Sequence, residues 1–341
     1  MDELNTICVS IYTEKIEGYG EDAPPLLITK DGLFVVGVFD GMGGAGAALC
    51  KSKNYGNDKT QAYVASRIIR CELDRFFSEE IEPNSEQTKN IASKLKDRIR
   101  KCLNSEIEQY SSAKKAVLKS KLVRQYPTTM AVVALYEHNG NWFVDSYWAG
   151  DSRCYLWKED GFFQISKDDL AESNDPMRNL YNDAPISNCI CADSEFVINF
   201  MPLTCKIPAI ILCATDGCFG YYKTPMHFEY ILRTSLGRAR DKEEWINNIR
   251  EEFIKVTGDD CSLSLIAIGF SSFNDLKEKM KDCGNEITAI VEAEREIVNL
   301  EERLQTKKIE FVDKSNSAWN EYSKHYMKYL ISPTSETDKD A

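Results

Sequence analysis

The chain has 341 residues, room for one large domain with an extension, and its 43% hydrophobic and 28% charged content is ordinary for a globular protein. A net charge of −12 makes nucleic acid and anionic lipid poor partners. No apolar run is long enough to span a bilayer, and the acidic opening lacks a signal-peptide layout, so no membrane and a cytoplasmic location are expected.

In chain order, residues 4–12 carry the mixed apolar character of a strand. Runs 25–30 and 33–40 flank Asp31-Gly32, a type I′ hairpin signal. Residues 58–80 and 85–122 space apolar residues helically among many charges, which predicts two long surface helices. Strand patterns resume at 129–137 and 141–148 around Asn139-Gly140, and at 153–158 and 162–165 around Asp160-Gly161. The polar stretch 166–194 reads as loop. Apolar runs at 195–200 and 208–215, helical patterns near 225–257 and a strand at 262–270 follow. Paired hairpins interleaved with adjacent helices suggest antiparallel sheets covered by helices rather than repeated βαβ units.

Composition changes near residue 270, so the expected division is 1–270, a helical extension over 271–331, and a disordered tail over 332–341. Within 286–312, Ile290, Ile297, Leu304 and Phe311 lie seven apart, with Ala293 and Leu300 between them. This is a coiled-coil pattern that offers self-association; an amphipathic helix packing back on the body fits as well.

Twelve cysteines are present, with no Cys-x-x-Cys; Cys189-Ile190-Cys191 is the nearest approach. Cys8, Cys71, Cys213 and Cys261 sit in or beside apolar stretches, as reduced thiols do in a reducing compartment. The three histidines, His138, His227 and His325, are scattered, which weakens histidine-rich zinc sites and Ser-His-Asp catalysis. Carboxylates are left as the chemical tools.

Five acidic positions lie where strands begin or end: Glu21-Asp22, Asp40, Asp151, Asp216 and Asp259-Asp260. The Asp31-Gly32 turn should place Asp22 opposite Gly41 and Ala23 opposite Asp40; the Asn139-Gly140 turn should place Thr128 opposite Asp151. Asp216 and Asp259 share an edge if their strands are antiparallel neighbours. A single Asp-Gly is usually a plain turn, but carboxylates plus a glycine carbonyl at one sheet edge suit hard cations such as Mg²⁺ or Mn²⁺. Two such ions roughly 3.5–4 Å apart can activate a bridging water and clamp a phosphoryl group, and Asp40 is best placed to bridge them.

Glu21-Asp22, Phe39-Asp40-Gly41-Met42-Gly43-Gly44, Thr128-Thr129-Met130-Ala131, Ala149-Gly150-Asp151-Ser152-Arg153, Thr215-Asp216-Gly217 and Asp259-Asp260 occur in this order. The series resembles the Mg²⁺/Mn²⁺-dependent serine/threonine phosphatases of type 2C over roughly residues 1–270, in a methionine form similar to bacterial members. The resemblance implies an α+β fold of two antiparallel sheets sandwiched between helices, here with a C-terminal helical extension. It implies two metal ions per active site. Asp40 would bridge them, Asp216 and Asp259 would complete one site, and the Gly41 carbonyl with Glu21, backed by Asp22, would serve the other. Asp151 resembles the position of a weaker third metal, and 166–194 the flap that influences substrate choice. The implied activity is hydrolysis of phosphoserine and phosphothreonine in a phosphorylated protein, opposing a serine/threonine kinase.

Three positions depart from the family pattern. Glu17 stands where an arginine usually holds the substrate phosphate, Gly20 where Asn precedes the acidic pair, and Asp260 where Asn follows the last metal aspartate. Lys15, two residues from Glu17 and so on the same face of a continuing strand, is a candidate substitute; a solvated surface lysine is the plainer reading. The alternative function is a catalytically weak phosphoprotein-binding scaffold with the same fold.

Overall fold

Every side chain of the strand Leu33–Val38 is buried, because this strand lies between a second sheet on one face and helices on the other. The computed structural model describes residues 5–52, 55–81, 90–110, 123–171, 175–181 and 184–330. Its elements run β1 (Thr6–Thr13), β2 (Leu26–Lys30), β3 (Leu33–Val38), a one-turn α1 (Gly43–Gly46), β4 (Leu49–Ser52), β5 (Gly56–Thr60), α2 (Gln61–Arg75), a π turn (Phe76–Glu80) and α3 (Ile91–Tyr110). There follow β6 (Met130–His138), β7 (Asn141–Ala149), β8 (Arg153–Lys158), β9 (Gly161–Gln164), β10 (Asn199–Cys205), β11 (Ala209–Ala214), a one-turn α4 (Asp216–Phe219), α5 (Pro225–Arg238), α6 (Lys242–Val256), β12 (Cys261–Ile268), α7 (Phe273–Met280) and α8 (Gly284–Tyr326).

Two five-stranded sheets, ordered β1-β12-β11-β8-β9 and β10-β7-β6-β3-β2, are antiparallel throughout. Alternation along each strand builds the layers. Phe34, Val36 and Val38 of β3 meet Ile211 and Cys213 of β11 and Ile266 of β12 between the sheets. Leu33 and Val35 face outward with Val64, Ile69, Leu95 and Ile99 of α2 and α3. On the other side Ile210 and Leu212 pack with Phe228, Leu232, Trp245 and Phe253 of α5 and α6. The architecture is the expected helix–sheet–sheet–helix sandwich.

The hairpin at Asp31-Gly32 has both residues at positive φ, 47° and 81°, and sets the register Lys30↔Leu33 through Leu26↔Gly37. Past Pro24-Pro25 that register slips by one: Ala23 N–H donates to the Phe39 carbonyl at 2.9 Å, so Ala23 does not face Asp40 as expected. Proline cannot donate to a ladder, and the strand stops at Leu26. The Asn139-Gly140 register runs from His138↔Asn141 to Met130↔Ala149 and ends there. Thr128 bridges Gly41 and Ile190 instead of meeting Asp151.

The predicted helix over 58–80 begins only at Gln61, with Thr60 as its cap, because residues 56–60 form a ribbon with 49–52. Where an apolar run was noted at 195–200, the strand is Asn199–Cys205, paired with β7 at the edge of its sheet. Residues 85–89 and 111–122 of the second predicted helix, and the tail 332–341, lie outside the described residues.

The first compact unit runs to Ile287, past the boundary expected at Phe270. The cause is α7: Ser272 caps it, Leu276 and Met280 are fully buried, and Arg233 Nη1 donates to the Met280 carbonyl at 2.9 Å. The second unit, Thr288–Ala341, contains most of the single helix α8, on which Ile290, Ile297, Leu304 and Phe311 are exposed. Among the described residues no helix is long and apolar enough to cross a membrane.

Candidate active site

Asp40 follows the fully buried β3, and its backbone is clamped. Its carbonyl accepts the Thr129 N–H at 2.8 Å and the Thr128 hydroxyl at 2.6 Å. The next residue must be glycine: a Cβ on Gly41 would lie 2.5 Å from the Glu21 carbonyl and 2.7 Å from that of Ala62. Strands β11 and β12 pair antiparallel, so Asp216 and Asp259 leave the same edge. There Gly217 lies so close to the Asp260 carbonyl that a Cβ would sit 1.8 Å from it.

The segment carrying Glu21 is fixed from three sides. Asp260 accepts the Glu21 N–H at 2.6 Å and the Lys15 N–H at 2.8 Å. Arg67, buried on α2, donates to the Gly20 carbonyl at 3.0 Å and to the Tyr12 hydroxyl at 3.0 Å. The Thr60 hydroxyl donates to the Glu21 carboxylate. Asp22 points inward, 2% exposed, and accepts the Thr215 hydroxyl at 2.9 Å.

A cleft of about 300 Å³ results, lined by Glu21, Asp40, Gly41, Met42, Gly43, Gly44, Ala45, Asp151, Ile186, Asp216, Asp259 and Asp260. None of these residues is basic. Burial, then the charges of Asp22, Asp216, Asp151 and Asp259, pushes the Asp40 carboxyl well above its ordinary range. Burial and Asp259 raise Asp216; burial, Asp216 and Asp168 push Asp151 up to about 8. Glu21 is raised by burial and by Asp260 and Asp259, against the Thr60 hydrogen bond. Asp151 Oδ1 is buried with no hydrogen-bond partner among the described residues. An oxygen-only donor set under mutual repulsion, with an orphaned carboxylate oxygen, fits hard divalent cations. Among the described residues no three acidic, histidine or cysteine side chains converge as a finished ligand set.

The sequence pattern described as protein phosphatase 2C matches residues 20–252, more than half of the chain. The chain belongs to the protein phosphatase 2C family. It is therefore, by family, an enzyme of the protein serine/threonine phosphatase class. The fold of this phosphatase is similar to that of the serine/threonine phosphatase Stp1 from Staphylococcus aureus, at 16% identity and a TM-score of 0.56 over 78% of this chain and 95% of that one. It is also similar to a bacterial serine phosphatase, at 16% identity and 0.54 over 78% and 98%. A third likeness is to PstP/Ppp of Mycobacterium tuberculosis, at 14% identity and 0.50 over 77% and 98%. At these identities the likeness speaks for the fold. No curated protein matches the chain.

In this phosphatase 2C chain the cleft gathers Glu21, Asp40, Gly41, Asp151, Asp216 and Asp259 from the expected set. Asp22 is not in the lining and lies behind it. Lys15 is not there either. The argument that Lys15 shares a strand face with Glu17 fails because β1 ends at Thr13 and residues 15–19 turn, with both side chains exposed. Sequence reasoning missed Arg67 and Thr60, and it named Thr215 only as part of a motif, without its bond to Asp22. Thr60 carried a signal, as a threonine before a helical run; Arg67 carried none.

Proposed function

We propose that this phosphatase removes phosphate from phosphoserine and phosphothreonine of a protein substrate, with Asp40, Asp216, Asp259, Glu21 and the Gly41 carbonyl holding two divalent cations, Mg²⁺ or Mn²⁺. When bound, such ions supply an activated bridging water and neutralise the phosphoryl charge. Asp151, with its unpartnered oxygen, is the candidate for a weaker third ion. The observation that carries the reading is a cleft lined by carboxylates from both sheets and by no base.

The chain's own residues supply rigidity. Thr128 and Thr129 fix the Asp40 backbone through its carbonyl. Asp260, Arg67 and Thr60 fix Glu21, and Asp22 orders the turn into Asp216 through Thr215. The substrate would be a phosphoprotein acted on by an opposing serine/threonine kinase, in a reducing compartment such as the cytoplasm, where free thiols persist. We assign catalysis to the first compact unit and self-association through residues 286–312 to the helical extension.

Exposure of Lys15 and Glu17 outside the cleft leaves no basic lining residue for the substrate phosphate, which favours a second reading as a weakly catalytic phosphoprotein-binding scaffold. One experiment separates them: hydrolysis of phosphothreonine and phosphotyrosine peptides with Mn²⁺, with Mg²⁺ and with EDTA. Metal-dependent turnover of the phosphothreonine peptide supports the enzyme. Binding of that peptide without turnover supports the scaffold.

A further inference from the structure

Cys189 and Cys191 flank Ile190, whose N–H donates to the Thr128 carbonyl and whose carbonyl accepts the Thr128 N–H, both at 3.0 Å. In such an extended segment residues two apart project to the same side, which sets the two thiols side by side on one face. Cys191 Sγ lies 2.8 Å from Ser194 Oγ, and Arg100 Nη1 holds the Ser194 carbonyl at 2.9 Å. Cys189 is half-buried and Cys191 is buried. Thr128 also carries the other half of a relay: its hydroxyl holds the Asp40 carbonyl at 2.6 Å, and it bridges Gly41.

We propose that Cys189 and Cys191 are a redox-modification site, oxidised by hydrogen peroxide to a disulfide that disturbs the Ile190–Thr128–Asp40 connection and lowers phosphatase activity reversibly. The redox part stands on the thiol pair alone; the loss of activity rests on the function proposed above. The neighbouring Cys189 thiol, with the Ser194 hydrogen bonds, draws the Cys191 thiol down to about 6, while Cys191 in turn raises Cys189. Arg124 acts on Cys189 to lower it, and the Asp193 charge raises both. The interaction thus favours a thiolate at Cys191 beside a thiol at Cys189, the combination that forms and resolves an oxidised sulfur.

The chemistry balances. The thiolate sulfur attacks peroxide, the O–O bond breaks, and hydroxide leaves, giving a sulfenic acid. The neighbouring thiol sulfur attacks that sulfur, the S–O bond breaks, and water leaves as the disulfide forms. Two thiols are oxidised by two electrons, and one peroxide is reduced to two waters. Alternate Cα atoms of an extended chain lie about 6.5 Å apart, whereas a relaxed disulfide prefers about 5.5–6 Å. Closing the Cys-Ile-Cys ring must bend the backbone at Ile190, and the bonds lost first are those to Thr128.

The test exposes the full chain, with Mn²⁺ bound, to graded hydrogen peroxide. Free thiols are then alkylated, the peptide holding Cys189 and Cys191 is weighed, and p-nitrophenyl phosphate turnover is measured before and after dithiothreitol. The expected result is a peptide two hydrogens lighter whose abundance tracks a loss of turnover of about tenfold, both reversed by the reductant. Cys189→Ser should keep basal turnover and lose the sensitivity. If that variant fails to fold, the correlation of disulfide with turnover in the unaltered chain decides. The proposal is overturned if both thiols remain alkylatable when activity falls, or if Cys189→Ser is as sensitive as its parent. An untreated protein with no turnover would instead count against the phosphatase reading, and disulfide mapping would still judge the thiol pair.

Discussion

The Asp260 carboxylate accepts the backbone N–H of Glu21 at 2.6 Å, joining residues 239 positions apart in sequence. A second bond, from the Lys15 N–H at 2.8 Å, uses the other carboxylate oxygen. Two charged acceptors thus hold the loop that carries a candidate metal ligand. Asp260→Ala should lower unfolding stability by about 3 kcal/mol, since hydrogen bonds to charged groups contribute about 1.5–3 kcal/mol each. It should also weaken Mn²⁺ binding. Denaturant melts and metal titration check both, and an Ala variant with unchanged melt and metal affinity would remove Asp260 as the loop's anchor.

Replacing the carboxylate proposed to bridge the two ions should separate stability from activity. Asp40 is half-buried and crowded by Asp22, Asp216, Asp151 and Asp259, so its ionised form is disfavoured without a cation. Asp40→Asn should therefore melt no lower than the parent in EDTA, while Mn²⁺-supported turnover falls by about three orders of magnitude or more. Asp216→Asn should act likewise. Full activity in excess EDTA, or an unimpaired Asp40→Asn enzyme, would exclude the two-metal mechanism.

Asp145, on β7 and 2% exposed, provides a pH probe outside the lining of the acidic cleft. Burial pushes its carboxyl up to about 6, although the Tyr136 hydroxyl donates to it at 3.1 Å. Because the folded value is raised above the unfolded one, its contribution is fully present below about pH 4 and is lost as pH rises through 6. The loss should be on the order of 3 kcal/mol. Asp145→Asn should flatten that part of the stability–pH curve and melt higher at pH 7.5; an unchanged slope between pH 4 and 7 would contradict it.

Truncation after Ile287 and truncation after Phe270 should behave differently. The longer product keeps α7, with Leu276 and Met280 buried and Lys277 Nζ bonded to the Ala239 carbonyl at 2.7 Å. It should retain ester hydrolysis and stability, while light scattering reports any self-association lost with α8. The shorter product loses two fully buried side chains, about 3–6 kcal/mol of apolar burial. Equal melts for the two products would show that α7 adds nothing to the body.

What was legible in the sequence was local chemistry. Asp31-Gly32 and Asn139-Gly140 fixed their hairpins because positive φ at both turn residues dictates loop length and register. Acidic residues at strand ends were visible because strands of a sandwich that end together bring their successors together. Legibility stopped where a distant segment decides. The Pro24-Pro25 slip, the end of β1 at Thr13 that detaches Lys15 from Glu17, and the packing of α7 all depend on partners far along the chain. Arg67 could not be found at all, since a buried arginine serving backbone carbonyls has the same helical spacing as a surface one.

All the turns of the sandwich fall into two sets. Strands β1, β3, β7 and β11 finish, and β6, β8 and β12 begin, at the end that holds the acidic cleft; the tight turns at Asp31-Gly32, Asn139-Gly140 and Asp160-Gly161 close the opposite end. The first compact unit thus carries the acidic cleft at one end of its strands and these three turns at the other. Fluorescent peptides, affinity tags or whole guest domains grafted into the three turns would report on the enzyme without standing in the substrate's path. Surface immobilisation through the same turns would present every cleft outward.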